Sequence, residues 1–371
     1  MAAPFRLKVY AKVLAATWAT FGFGSEFLRW LFVMPLFRLL LEILFRLDHV
    51  FFPAFRRVKI RAPIFVVGHP RSGTTLLHRL LAQTGEFAVF QVWEILLPSL
   101  AARKIARPFI QWRIRKGQGV LFPKEIGHEA SLDSIEEEEL LFMHRCNTQF
   151  MALLSPLGLG DWDFPELVYA DEQPESVRKE AFRFLRGCLQ RQIHARGKPQ
   201  VIAKLNYSGM RLRSLFEEFP DAKLIYVVRS PYDTIASHLS LDRSTLDRQW
   251  GLGNIPAGRL QRYFARRYRY DVALYRYVED LIEEGLFDAA QFMVLPYQAL
   301  TEDREKAVRA VVEFAGLKLG DEAWRQIREQ CQAWGHYHRE HQVLPLEAFG
   351  LSKQRIAQDL GFVFKKYGFP I

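Results

Sequence analysis

Cysteine is scarce in this chain of 371 residues, which has only Cys146, Cys188 and Cys331. An odd, scattered set builds neither a disulfide framework nor a four-thiolate zinc site, and it fits core thiols in a reducing compartment. Long uncharged runs are also missing. Between Val13 and Phe55 the chain is dense in Leu, Phe, Trp, Val and Met, but charged residues interrupt it. No run approaches the roughly eighteen residues that a spanning helix needs. The same charges, with no small-residue cleavage site after a clean apolar run, argue against a secretory leader. Acidic residues are few at this end: Arg6, Lys8, Lys12, Arg29, Arg38, Arg46, Arg56, Arg57 and Lys59 face only Glu26, Glu42 and Asp48. Much of the formal net charge of +10 therefore sits there, and the remainder is mildly basic, as suits a polyanionic nucleotide.

What is present divides the chain at about residue 54. In residues 1–54, Arg38, Glu42 and Arg46 fall at i, i+4 and i+8, one narrow polar stripe on an otherwise apolar helix. Such a helix suits a membrane interface, with flanking Arg and Lys meeting anionic headgroups. The other reading is a pair of helices packed on the protein's own core. Residues 55–371 can bury a large core, since 49% of the chain is hydrophobic.

That second region is organised around residues 63–85. Ile64 to Val67 reads as a buried parallel strand, and from Thr74 the apolar residues Leu76, Leu77, Leu80 and Leu81 recur at helical spacing. Between them Gly68 to Thr75, G-H-P-R-S-G-T-T, has the glycine spacing of a phosphate-binding P-loop. In such a loop consecutive N–H groups and the first helical turn surround an anion. The lysine of a nucleoside-triphosphate P-loop is absent, because Thr74 stands in its place. The cation is Arg71, inside the loop, where a guanidinium can grip a phosphate bidentately without a metal ion.

A second motif follows another apparent strand, Leu224 to Val228, and reads Arg229-Ser-Pro-Tyr-Asp-Thr-Ile-Ala-Ser237. Together the two stretches resemble the 5′-phosphosulfate loop and the 3′-phosphate element of sulfotransferases that use 3′-phosphoadenosine 5′-phosphosulfate (PAPS). The likeness is to a bacterial branch related to tyrosylprotein sulfotransferases. The resemblance implies that Arg71, Ser72, Gly73, Thr74 and Thr75 hold the 5′-phosphosulfate, and Arg229 and Ser237 the 3′-phosphate. It implies that Tyr297, in Phe292 to Tyr297, lies near the nucleotide, and that Lys204, at the end of a third strand (200–204), contacts the sulfuryl group and bridging oxygen. Lys204 is followed by Leu205-Asn206-Tyr207 in place of the family's small residue and proline, and Gln298 replaces the usual acid after Tyr297. The stretch Leu346 to Leu351 resembles one preceded by a basic segment that closes over the nucleotide, which adds Arg339 and His341 to the binding residues.

Glu94 is a lone acid in Gln91-Val-Trp-Glu-Ile-Leu-Leu-Pro98. Burial there raises a carboxyl pKa toward the range a general base needs; a partly exposed Glu at a helix edge is the alternative. The resemblance favours the base, because those relatives place a catalytic Glu a little over twenty residues after the loop cation. His128 is a secondary candidate. Ser134 to Glu137 reads as a capping box, so Glu136 to Glu139 is taken as a solvated helix start. Residues 153–174 read as a long loop able to shape acceptor access. The Arg and Tyr residues of 257–285 are better explained by a basic solvated face opposite a core face than by nucleic acid. His336, His338 and His341 lack the carboxylate or Cys that would complete a familiar metal set.

The expectation is therefore an α/β fold: a P-loop three-layer sandwich with a central, mostly parallel sheet, plus an apolar N-terminal helical segment. The implied activity is transfer of a sulfuryl group from PAPS to a hydroxyl of a small-molecule or lipid acceptor, with no metal. Glu94, Arg71 and Lys204 are its expected catalytic residues. The place implied is the cytoplasmic face of a membrane, reached through residues 1–54. A P-loop kinase and a non-catalytic membrane-docking protein are the alternatives: the first requires Lys at position 74, the second the loss of motif residues that are intact.

Overall fold

Ile64–Gly68 forms strand β1 in the middle of a parallel sheet, in a computed structural model that describes residues 2–123, 129–335 and 342–371. Its partners are β2 (Phe87–Ala88), β5 (Gln200–Lys204), β6 (Lys223–Val228) and β7 (Phe292–Pro296), in the order β2-β5-β1-β6-β7. Every pairing in this sheet is parallel. Two short antiparallel strands, β3 (Val120–Phe122) and β4 (Ala130–Ser131), stand apart from it.

The strands read as continuous apolar runs because both faces are covered. Phe65, Val67, Ala203, Leu224 and Tyr226 enter one core, shared with helices Glu175–Arg196, Pro231–Trp250, Ala257–Glu283 and Lys353–Tyr367. The alternate residues Ile64, Val66, Ile202, Ile225 and Val227 enter a second core, against helices Thr74–Ala82, Arg304–Phe314 and Asp321–Gly335. The three layers expected from the sequence are those of the structure.

The N-terminal residues are docked on this domain. Helix Ala2–Phe21 buries Val9 and Val13 against Cys146, Met151, Leu157, Phe164 and Leu167, and Lys12 Nζ donates to Glu166 Oε1 at 2.5 Å. The stretch 153–174 is thus not a free loop. It is a set of short helical turns, Pro156–Leu159, Pro165–Val168 and Ala170–Glu172, lying largely under that helix.

Helix Met34–Phe51 buries an acid along with Leu41 and Phe45 and leaves much of its apolar surface outside. Fully buried Asp48 accepts from Ser99 Oγ (2.9 Å), from the N–H groups of Leu100 (3.1 Å) and Ala101 (2.8 Å), and from Arg191 Nε (2.6 Å). It so supplies the acidic partner that the start of helix Leu100–Arg115 lacks in its own first turn. Glu42 pairs with Arg145, and Arg38 lies 4.9 Å over the Tyr10 ring. Of the polar stripe, Arg38 and Glu42 thus reach protein partners while Arg46 is exposed, and Leu36, Leu39, Leu40, Ile43, Leu47, Val50 and Phe51 face solvent. No helix among the described residues is long and apolar enough to cross a membrane.

Candidate active site

The loop after β1 is shaped by close approach. A Cβ on Gly68 would stand 2.4 Å from the carbonyl oxygen of Val227 and 2.7 Å from Ser72 Oγ, so only glycine lets β1 and β6 pass here. The Ser72 N–H then turns back to the His69 carbonyl (3.0 Å). Arg71 and Gly73 both have positive φ, +73° and +102°, a conformation that costs a residue bearing a side chain about 1–2 kcal/mol. Held strain at such a turn is a mark of a ligand clamp. Ser72 Oγ is buried with no hydrogen-bond partner among the described residues, which fits a hydroxyl kept for a ligand oxygen.

Side chains from distant segments converge on this loop. Arg71 Nε donates to Ser237 Oγ at 3.0 Å, joining the two motifs. Arg229, just beyond β6, places its guanidinium 4.2 Å from the Tyr297 ring centroid and donates to the Arg71 carbonyl (3.3 Å) and to Asp233 Oδ2 (3.1 Å). The Tyr297 ring lies against Gly73, where a Cβ would meet Cδ2 at 2.5 Å. At the C-terminal end of β5, Lys204 Nζ donates to Thr75 Oγ1 at 2.9 Å, while Thr74 is buried beside it. The structure thus brings together Arg71, Ser72, Gly73, Thr74, Thr75, Lys204, Arg229, Ser237 and Tyr297. They gather at the C-terminal ends of the strands, where open parallel sheets bind ligands.

Under the loop lies a buried brace that sequence reasoning missed. Asp271 Oδ1 is 3.0 Å from His69 Nε2 and 2.9 Å from His238 Nδ1, and Arg267 Nη2 bonds His238 Nε2 at 2.9 Å. Burial alone would raise the Asp271 pKa, but His238 and His69 outweigh it and hold the carboxyl below its usual range. His69, His238 and Asp271 are close enough to share a metal ion. The His238–Asp271 contact is a direct hydrogen bond and Arg267 occupies the second His238 nitrogen, so a structural brace is the fitting description. No local motif announces it, because the three residues lie on separate elements.

Two acidic readings need correction. Glu94 is buried, but it is not a lone acid among apolar side chains. Its Oε2 accepts from the Gln91 N–H (2.9 Å), Gln192 Nε2 (3.0 Å) and Arg196 Nη2 (2.7 Å), and Arg103 Nη1 stands 3.9 Å from Oε1. It closes a capping box on helix Val92–Leu96 and ties that helix to two others. These partners are not residues of the phosphate loop. A cavity of about 290 Å³ does open beside it, lined in part by Trp93, Arg107, Ile110 and Arg196.

Glu136 to Glu139, by contrast, are all buried and not a solvated helix start. Ser134 turns back on Ser131, and the following turn, Glu138–Arg145, is a 3-10 helix. Glu137 Oε2 is 3.0 Å from Lys204 Nζ and accepts from Asn206 Nδ2 at 3.0 Å. Burial pushes Glu138 up to about 8 and Glu139 up to about 7. The signal available in the sequence was four consecutive acids just upstream of an apolar run, Leu-Leu-Phe-Met, whose Leu141 and Phe142 are fully buried. His128, His336, His338, Arg339 and His341 lie outside the described residues.

Residues 63–321 match the model of the sulfotransferase family. The chain belongs to the sulfotransferase family. This sulfotransferase is similar to the omega-hydroxy-beta-dihydromenaquinone-9 sulfotransferase Stf3 of Mycobacterium bovis and to that of Mycobacterium tuberculosis. Each is 26% identical over 311 residues, covering 83% of this chain and 75% of the relative. Its fold is similar to that of sulfotransferase STF1 from Mycobacterium tuberculosis H37Rv, with a TM-score of 0.68 and 20% identity over 96% of this chain and 92% of that one. It is also similar to STF9 from Mycobacterium avium, with a TM-score of 0.65 and 17% identity over 88% and 82%. The protein is therefore an enzyme of the sulfotransferase class, a family that implies a sulfate donor as cosubstrate.

Proposed function

We propose that this sulfotransferase moves the sulfuryl group of PAPS to a hydroxyl of a lipophilic acceptor at a membrane surface. The observation that carries the donor is the Arg71–Ser237 hydrogen bond, 3.0 Å, which joins the two phosphate motifs into one anion site. Arg71, Ser72, Thr74 and Thr75 take the 5′-phosphosulfate, with the loop N–H groups; Arg229 and Ser237 take the 3′-phosphate; Tyr297 backs the loop. As the acceptor oxygen attacks sulfur in line, negative charge grows on the leaving 5′-phosphate, where Arg71 and Lys204 stabilise it. The scheme needs no metal. A kinase reading lacks its lysine, since Thr74 holds that place.

The acceptor class is supported by the relatives named for a hydroxylated menaquinone and by the leucine-rich outward face of helix Met34–Phe51. Arg46, Arg56, Arg57 and Lys59 are exposed along and just after that face. A face that is apolar outside and basic at its end suits the surface of an anionic bilayer, lying in the interface without spanning it. The side docked on would be the cytoplasmic one, where PAPS is available. The test is incubation of the purified protein with labelled PAPS and an ω-hydroxylated menaquinone in anionic vesicles. Label recovered on the quinone supports the reading, and label confined to released sulfate contradicts it.

A further inference from the structure

We propose that Glu137 is the general base of the transfer, taking the proton of the acceptor hydroxyl beside Lys204; this rests on the sulfuryl-transfer reading above. A base has to lie within hydrogen-bond reach of the attacking oxygen, and so close to the groups that hold the donor's sulfuryl end. Lys204 marks that place. Its Nζ is 2.9 Å from Thr75 Oγ1, in the first turn after the phosphate loop, and 3.0 Å from Glu137 Oε2.

Four consecutive glutamates reach this neighbourhood, and geometry separates their tasks. Glu138 accepts from the N–H groups of Lys204 (2.8 Å) and Phe90 (3.4 Å), which ties β5 to the chain beyond β2. Glu139 accepts from Thr148 Oγ1 (2.9 Å) and Ser208 Oγ and faces Arg211 at 3.7 Å. Glu136 meets Arg79 at 3.4 Å and stands 3.9 Å from Lys204 Nζ. Glu137 is the glutamate nearest the lysine head. It sits on an extended step, φ −77° and ψ 128°, that ends where the 3-10 turn begins, and Asn206 Nδ2 fixes its Oε2 at 3.0 Å. Lys204, Glu139 and Tyr207 are among the titratable groups facing it, with Glu136 next to it in the chain.

The step balances without a further reagent. The acceptor O–H bond breaks and its proton goes to the Glu137 carboxylate, while the acceptor oxygen forms a bond to sulfur. The bond from sulfur to the bridging oxygen breaks, and its electron pair stays on the 5′-phosphate, whose charge Arg71 and Lys204 meet. Adjacent Lys204 and Glu137 thus serve opposite ends of one displacement.

The test is Glu137→Gln and Glu137→Asp, assayed with PAPS and an ω-hydroxylated menaquinone in mixed micelles across pH, with thermal stabilisation by 3′-phosphoadenosine 5′-phosphate (PAP) as the measure of the donor site. We expect Glu137→Gln to lower kcat by about 10²–10⁴ and to remove the acidic limb of the kcat/KM profile. PAP stabilisation should stay near that of the parent protein, and Glu137→Asp should recover part of the rate. Turnover of Glu137→Gln within about tenfold of the parent, or a loss fully matched by lost PAP binding, overturns the assignment. No sulfated quinone from the parent protein sinks the transfer reading itself, and this inference with it.

Discussion

Replacing Gly73 by alanine tests whether the loop and the Tyr297 ring form one device. Position 73 has φ +102°, so alanine pays about 1–2 kcal/mol in backbone strain before any contact is counted. Its Cβ would then stand 2.5 Å from Cδ2 and 2.8 Å from Cε2 of Tyr297, closer than real methyl groups approach a ring. The ring has to move, and Arg229, 4.2 Å over it, moves too. A charge-assisted hydrogen bond to phosphate is worth about 1.5–3 kcal/mol, so misplacing Arg229 should weaken PAP binding by about 10–100-fold. Calorimetric titration with PAP reads this directly. Tyr297→Ala removes the obstacle, so the double variant should lose less affinity than the sum of the two singles. Parent-like affinity in Gly73→Ala, or strictly additive losses in the double variant, would refute the reasoning.

Leu40→Glu combined with Ile43→Glu should leave the fold intact, because these side chains are 51% and 46% exposed, yet reduce flotation with anionic vesicles by about tenfold or more, given about 1 kcal/mol for each half-buried side chain lost; unchanged flotation rejects the membrane face. These substitutions test the face better than removing residues 1–54, since helix Ala2–Phe21 covers core residues and its loss would expose them. Glu138, pushed by burial from 4.5 up to about 8, binds a proton more readily folded than unfolded. Its contribution to stability is therefore present below about 4.5 and lost as pH rises through about 8. Denaturant titrations of Glu138→Gln should show a flatter fall in stability over that window, and an unchanged slope contradicts the burial argument.

The sheet and the convergence of the two motifs proposed to hold the donor were legible because their information is local. A strand buried on both faces reads as an apolar run, and a phosphate loop is written in consecutive residues, so Gly68 to Thr75 and Arg229 to Ser237 stand out in the sequence alone. The acids were not legible for the opposite reason. Glu94 looked isolated in its own stretch, but its partners Gln192 and Arg196 arrive from about a hundred residues away. Glu136 to Glu139 looked solvated because four adjacent acids usually are, and only the approach of β5 gives them Lys204, Asn206 and Ser208 to pair with. Periodicity found the narrow polar stripe of helix Met34–Phe51. Only the placement of Asp48 against Ser99 and Arg191 shows that this further acid, outside the stripe, is buried.

The central claim is that one bare nucleotide site, without a metal, holds both phosphates of the sulfate donor through Arg71, Arg229 and Ser237. Thermal unfolding in the presence of EDTA measures it most directly, because a ligand that binds only the folded state raises the transition in proportion to its affinity. The account predicts that PAP stabilises the protein strongly in EDTA, that Arg229→Ala removes most of that shift, and that ATP with magnesium in place of EDTA gives little. Equal stabilisation by magnesium ATP, or none by PAP, would contradict it.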